Sequence, residues 1–161
     1  MMAASRKRCR EDDSVQNTIV SAVETLSISK KKARPAAELV TEDGPFGHEE
    51  YTTVRGVRQG TYKSYFMSGQ LKEYANYVDG HEEGIVQQWF ANGHPYLLYT
   101  VRDGLRQGTA VCWYSNGLVA SLEHFKDGLE EGRATYFYAD GRVQCEIMFE
   151  AGEVVRLQHF D

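Results

Sequence analysis

Pairs of glycines return along this chain at a fixed step of 24 residues: "GVRQG" at 56–60, "GHEEG" at 80–84, "GLRQG" at 104–108 and "GLEEG" at 128–132. A second series, Gly69, Gly93, Gly117 and Gly141, keeps the same step and closes the stretches "YFMSG", "WFANG", "WYSNG" and "YFYADG". A period of this size marks a repeat architecture, in which one small unit buries its apolar face only by stacking on its neighbours. The units are 56–79, 80–103, 104–127 and 128–151, with a partial copy at 152–161 where Arg156 stands in the place of the second glycine.

Each unit reads as a hairpin. Asn92-Gly93, Asn116-Gly117 and Asp140-Gly141, with Ser68-Gly69 as a weaker version, predict two-residue turns in which both residues have positive φ. Asp79-Gly80, Asp103-Gly104 and Asp127-Gly128 predict a second reversal per unit, hence an all-β fold, one extended antiparallel meander of stacked hairpins over 49–161. Pairing about these turns puts Phe66, Phe90, Tyr114 and Tyr138 on one face with Tyr77, Val101, Phe125 and Phe149. Tyr65, Trp89, Trp113 and Phe137 fall on the other. Glycine at 60, 84, 108 and 132 is expected to relieve the backbone and to leave room for a ring from the adjacent strand. Between the glycines the pairs alternate, Arg58-Gln59, Glu82-Glu83, Arg106-Gln107, Glu130-Glu131, which predicts an alternating-sign ladder along one edge.

This order of glycines, paired aromatics, Asn-Gly and Asp-Gly strongly resembles the MORN repeat in its variant form, in four copies over roughly 50 to 155; "EGIVQQWFANGHPYLLYTVRDG" and "QGTAVCWYSNGLVASLEHFKDG" match best. The resemblance implies a sheet used for protein interaction, scaffolding or membrane association, of the kind abundant in giant DNA viruses and in bacterial antitoxin-like proteins. It implies no shared catalytic residues.

Residues 1–48 lack this rhythm. They hold 8 of the 18 Lys/Arg and 7 of the 23 Asp/Glu, leaving 10 against 16 for 49–161, so the acidity belongs to the repeats. A segment this polar cannot bury a core and reads as a largely disordered tail, with a short amphipathic helix at 15–28 on Val15, Ile19, Val23 and Leu26 that is marginal alone. "KRCR" and "KKAR" fit the pattern read by nuclear import receptors, making Lys7, Arg8, Arg10, Lys31, Lys32 and Arg34 the targeting candidates. No apolar run reaches the length of a membrane span, and no apolar segment follows the basic start, so an intracellular place, nuclear or cytoplasmic, including that of a virus-infected host cell, is expected.

Chemistry finds no foothold. Cys9, Cys112 and Cys145 have no metal-ligand spacing, and His48, His81, His94, His124 and His159 read as surface or filler residues. Cys112 and Cys145 are expected to share a face three strands apart, too far for a disulfide. Glu82, Glu83, Glu130 and Glu131 sit in connections where carboxylates are solvated, so no catalytic, cofactor or metal residue is assigned and no small-molecule substrate is expected. The expected partner is a protein of unknown identity, met by Tyr65, Phe66, Trp89, Phe90, Trp113, Tyr114, Phe137 and Tyr138. Nucleic acid does not suit acidic repeats, and their acidity also disfavours an anionic membrane surface; a membrane-surface module or an antitoxin-like binding protein is the alternative.

Overall fold

The computed structural model describes residues 35–44 and 47–160. The helix at 15–28 and the two basic clusters lie outside them. Among the described residues there is no helix, and thirteen strands form one antiparallel sheet in a meander. They are β1 (Glu38–Gly44), β2 (Gly47–Val54), β3 (Val57–Tyr65), β4 (Leu71–Val78), β5 (His81–Glu82), β6 (Gly84–Trp89), β7 (Pro95–Arg102), β8 (Leu105–Trp113), β9 (Val119–Lys126), β10 (Leu129–Glu130), β11 (Gly132–Phe137), β12 (Val143–Glu150) and β13 (Glu153–His159). Each pairs with its predecessor in the chain, except that β5 and β10 are short stubs beside β4 and β9.

The sheet begins ten residues before the boundary at 48 that the sequence suggests. β1 lies inside the segment read as tail and pairs in unbroken register with β2, Glu38 opposite Thr53 through Gly44 opposite Gly47. Its sequence, ELVTEDG, carries three acids and no aromatic residue. Main-chain pairing holds it together with polar side-chain contacts, Tyr51 O–H donating to Glu42 Oε1 at 2.9 Å and His48 Nδ1 meeting Asp43 Oδ1 at 2.9 Å, none of which leaves an apolar signature.

The two reversals of each repeat use different turns, and the assignment from sequence is corrected here. At the Asp-Gly end both residues have positive φ, 53° and 75° at Asp103 and Gly104, the primed turn that matches strand twist. At the Asn-Gly end only the glycine does, 86° at Gly93. Gly93 N–H donates to Phe90 O at 2.9 Å and Phe90 N–H to His94 O at 2.8 Å, a three-residue loop closed by a glycine bulge. Asparagine serves here through its side chain: Asn92 Oδ1 accepts from His94 N–H at 3.1 Å while its amide donates to Ser115 O in the next repeat at 2.7 Å. Asn116 repeats this with Leu118 and Ala139.

Inside each repeat the second glycine bends the first strand. Thr53 faces Arg58 but Tyr51 faces Tyr62, so two extra residues are accommodated around Gly60. Gly60, Gly84, Gly108 and Gly132 all have positive φ, 79°, 85°, 70° and 78°, and a side chain at any of them would meet nothing within 4 Å. The left-handed backbone, not room for a ring, is what requires glycine there. In the last strand Arg156 cannot take this conformation cheaply, and the bulge shrinks to one residue: Phe149 faces Val154, Met148 faces Arg156 and Ile147 faces Leu157. Following the interior repeats, where Ser121 faces Tyr136, the residue opposite Ile147 would have been Gln158. Losing one glycine therefore puts a leucine on the inner face in place of a glutamine.

All the buried residues lie on one face. Tyr62, Ala75, Val86, Tyr99, Val101, Ala110, Ala134 and Phe149 are joined by Thr53, Ser64 and Ser121. A single-layer sheet can bury Ala75 and Val86 completely because larger neighbours on the same face roof them. Tyr62 and Tyr77 meet edge to face at 5.8 Å. The expected row of Phe66, Phe90, Tyr114 and Tyr138 lies beyond the strand ends, where Phe66 and Phe90 line a hollow with Glu73 and Gln88 of the inner face. Those residues follow the last strand residue and belong to the Asn-Gly loops, while the inner row is built four residues earlier by Tyr62, Val86, Ala110 and Ala134.

Candidate functional site

The outer face carries a row of aromatic side chains. Tyr65, Trp89, Trp113 and Phe137 end β3, β6, β8 and β11 and stand opposite Leu71, Pro95, Val119 and Val143. Successive members are two strands apart, roughly 10 Å. All four are half-buried, their rings held by same-face neighbours yet open to one side. The residue after each enters the loop: Phe66, Phe90 and Tyr114 are half-buried and Tyr138 is exposed. These eight, chosen from sequence, all lie at the Asn-Gly end, four closing the strands on the outer face and four in the loops that follow.

The band is anchored from one repeat to the next. Tyr114 O–H donates to Phe137 O of the next repeat at 2.7 Å, and within one repeat Phe90 packs on Tyr96 with ring centroids 4.9 Å apart. Two hollows open against it. One, of about 570 Å³, is walled by His48, Tyr65, Phe66 and Met67. The other, of about 300 Å³, lies among Phe66, Phe90, Trp89 and Tyr96 and reaches Glu73 and Gln88 of the inner face.

The inner face is polar at the Asp-Gly end, and its residues do not form the expected ladder. Among the described residues no ion pair joins Arg58 or Arg106 to Glu82 or Glu130. The Arg58 guanidinium instead lies 4.8, 5.1 and 5.4 Å from the rings of Tyr51, Tyr62 and Tyr77, and Arg106 lies 4.6 Å from Tyr99 and 5.5 Å from Phe125. Such contacts stabilise by about 0.5–2 kcal/mol. At the alternate step Glu82 accepts from Tyr77 O–H at 3.4 Å and Tyr99 O–H at 3.2 Å. The second member of each pair is also structural. Gln59, Glu83 and Glu131 accept from the main-chain N–H of Asp79, Asp103 and Ala151 at 2.7, 2.9 and 2.9 Å, a role that an oxygen of either residue type fills, whereas Gln107 donates its Nε2 to Asp127 Oδ1 at 2.8 Å. Sequence reasoning missed these roles, although the 24-residue step would have exposed the shared acceptor.

Burial pushes the hydroxyls of Tyr62, Tyr99 and Tyr136 up to about 12, and burial also raises Glu73. Cys112 and Cys145 share the inner face, on β8 and β12, and are unbonded as expected. The Cys112 thiol is pushed up by burial and by Glu123, the reverse of what a nucleophile requires. Among the described residues no group of three or more His, Cys, Asp or Glu is placed to hold a metal ion, and no helix is long and apolar enough to cross a membrane.

Comparison with known proteins agrees with the repeat geometry. The family model described as MORN repeat variant matches residues 58–79, and that described as MORN repeat matches residues 100–119 and 124–141. No match is found among curated proteins. The matched segments each fall within the strands and turns described above, and together they support a MORN repeat protein.

Proposed function

We propose that this sheet is a non-catalytic protein-interaction scaffold whose binding surface is the aromatic band of the Asn-Gly end, addressed to the nucleus by the basic clusters within residues 1–48. MORN repeats are commonly protein or membrane interaction modules. The observation that carries the choice is the row Tyr65, Trp89, Trp113 and Phe137, evenly spaced and half-buried on an outer face that no other element among the described residues covers. Large aromatic residues held rigidly at a surface dominate interface energetics. The 16 acidic against 10 basic residues of 49–161 disfavour an anionic bilayer as the occupant.

The test separates binding from folding and targeting from both. Trp89→Ser with Trp113→Ser should lose the proteins retained by the wild-type chain while far-UV circular dichroism keeps its sheet signature. Retention unchanged by that pair, or sedimentation of the chain with anionic liposomes, would rule out the aromatic band as a protein site. Replacing Lys7, Arg8, Arg10, Lys31, Lys32 and Arg34 with alanine should abolish nuclear accumulation without moving the melting temperature. Wild-type distribution of that variant would remove the targeting role.

A further inference from the structure

Asn92-Gly93 and Asn116-Gly117 set a side-chain amide beside the main-chain nitrogen of a residue that has no Cβ to shield it. In such a pair the glycine nitrogen can attack the asparagine Cγ. A C–N bond forms, and the side-chain nitrogen leaves as ammonia, carrying away the proton of the glycine N–H. Water then opens the cyclic imide, at one carbonyl to give aspartate and at the other to give isoaspartate. Water is the one co-reactant, and it has access: residues 91–94 and 115–118 are exposed.

The folded loops hold the atoms of that step apart. Gly93 N–H and Gly117 N–H, which must lose their protons, are donated to Phe90 O and Tyr114 O, both at 2.9 Å. The leaving nitrogens, Asn92 Nδ2 and Asn116 Nδ2, donate to Ser115 O at 2.7 Å and Ala139 O at 2.8 Å. The amide oxygens accept from His94 N–H at 3.1 Å and Leu118 N–H at 3.0 Å. Nucleophile and leaving group are therefore both engaged, and cyclisation has to wait for a local opening of the loop. The third loop shows what the product does. Asp140 occupies the same place, and its Oδ1 accepts from Arg142 N–H at 3.0 Å while its Oδ2 takes Arg142 Nε at 2.8 Å. Aspartate thus keeps the cap within the loop, but it has no N–H to give to a neighbouring carbonyl. Isoaspartate lengthens the main chain by one carbon and disturbs the cap as well.

We propose that Asn92 and Asn116 are deamidation sites that the folded loops keep closed. Conversion takes place from the opened loop and, once made, prevents that loop from linking again to the next repeat. The loops concerned are those that carry Phe90 and Tyr114, so conversion loosens the aromatic end of the sheet and leaves the Asp-Gly end as it was.

Incubation of the full chain at neutral pH in buffer and in guanidinium chloride, followed by peptide mass spectrometry, tests this. Conversion at Asn92 and Asn116 should be slower in buffer than in denaturant by about tenfold or more. Asn76, which precedes the bulky Tyr77, should lag behind both sites in denaturant. Asn116→Asp should keep Leu118 N–H protected from hydrogen exchange, as the Asp140 cap predicts, and should melt below the wild type but above Asn116→Ala, which loses cap and link together. Equal rates in buffer and denaturant, no conversion in denaturant, Asn76 keeping pace with the Asn-Gly pairs, or an Asn116→Asp chain that melts with the wild type would each overturn the proposal.

Discussion

The four strands with a two-residue bulge and the final one with a one-residue bulge make the same hairpin with one difference. Where glycine occupies the left-handed position, at 60, 84, 108 and 132, two extra residues enter the bulge and alternation resumes in phase. Where Arg156 occupies it, one residue enters and alternation resumes out of phase. The comparison shows that a single backbone preference decides which side chains line the inner face of a hairpin. Hydrophobicity follows that decision. Leu157 faces inward because of a residue next to it, while Gln158, at the inner position of every other repeat, faces out.

Substitution at the glycine itself should have the largest effect. Gly108→Val places a β-branched residue at φ 70° and is expected to destabilise by about 2–3 kcal/mol, whereas Arg156→Val, where no left-handed residue is required, should stay within about 0.5 kcal/mol. Urea denaturation of both variants checks the contrast. Equal losses would mean that the bulge is not what demands glycine.

The next contrast concerns the inner row. Val86 is fully buried and Leu157 half exposed, so Val86→Ala should cost about 2 kcal/mol and Leu157→Ala about 1 kcal/mol. Smaller still is the loss of a link between repeats. Asn116→Ala removes the 3.0 Å bond from Leu118 N–H and the 2.8 Å bond to Ala139 O and should cost about 1 kcal/mol. Ser68→Ala, in the loop where Ser68 reaches only Gln70 Oε1 at 3.3 Å, should be near neutral.

Alkali should separate the interior from the end as well. Tyr62, Tyr99 and Tyr136 ionise near 12 in the folded chain against 10.0 when exposed, chiefly through burial. Their neutral form is the one the fold favours, so their stabilising contribution is complete below pH 10 and is lost as pH rises through about 12. Tyr62→Phe with Tyr99→Phe should flatten the fall in melting temperature over that window. β13 carries no tyrosine and should be insensitive to it.

Much of this was readable from the chain. The 24-residue step gave the meander, its reversals and the aromatic band at 65, 89, 113 and 137, because glycine and paired aromatics leave a signal that survives in every copy. Three things were hidden for physical reasons. β1 is held by main-chain pairing and by polar contacts of Glu42 and Asp43 with Tyr51 and His48, which leave no apolar pattern. Asn-Gly is compatible with two loop lengths, and what chooses between them is the reach of Asn92 and Asn116 into the next repeat, a contact 23 residues away. The inner row changes from Tyr62 to Val86 to Ala110, so no residue type marks it. Only counting through the glycine bulge finds it.

The central claim is that the second glycine sets the phase of each hairpin, and restoring it where it is missing tests that most directly. In Arg156→Gly, interstrand nuclear Overhauser contacts between β12 and β13 should move Ile147 from Leu157 to Gln158, the pairing that the interior repeats predict. If Ile147 stays opposite Leu157 with glycine at 156, the phase is set by side-chain burial and the account of the repeat is wrong.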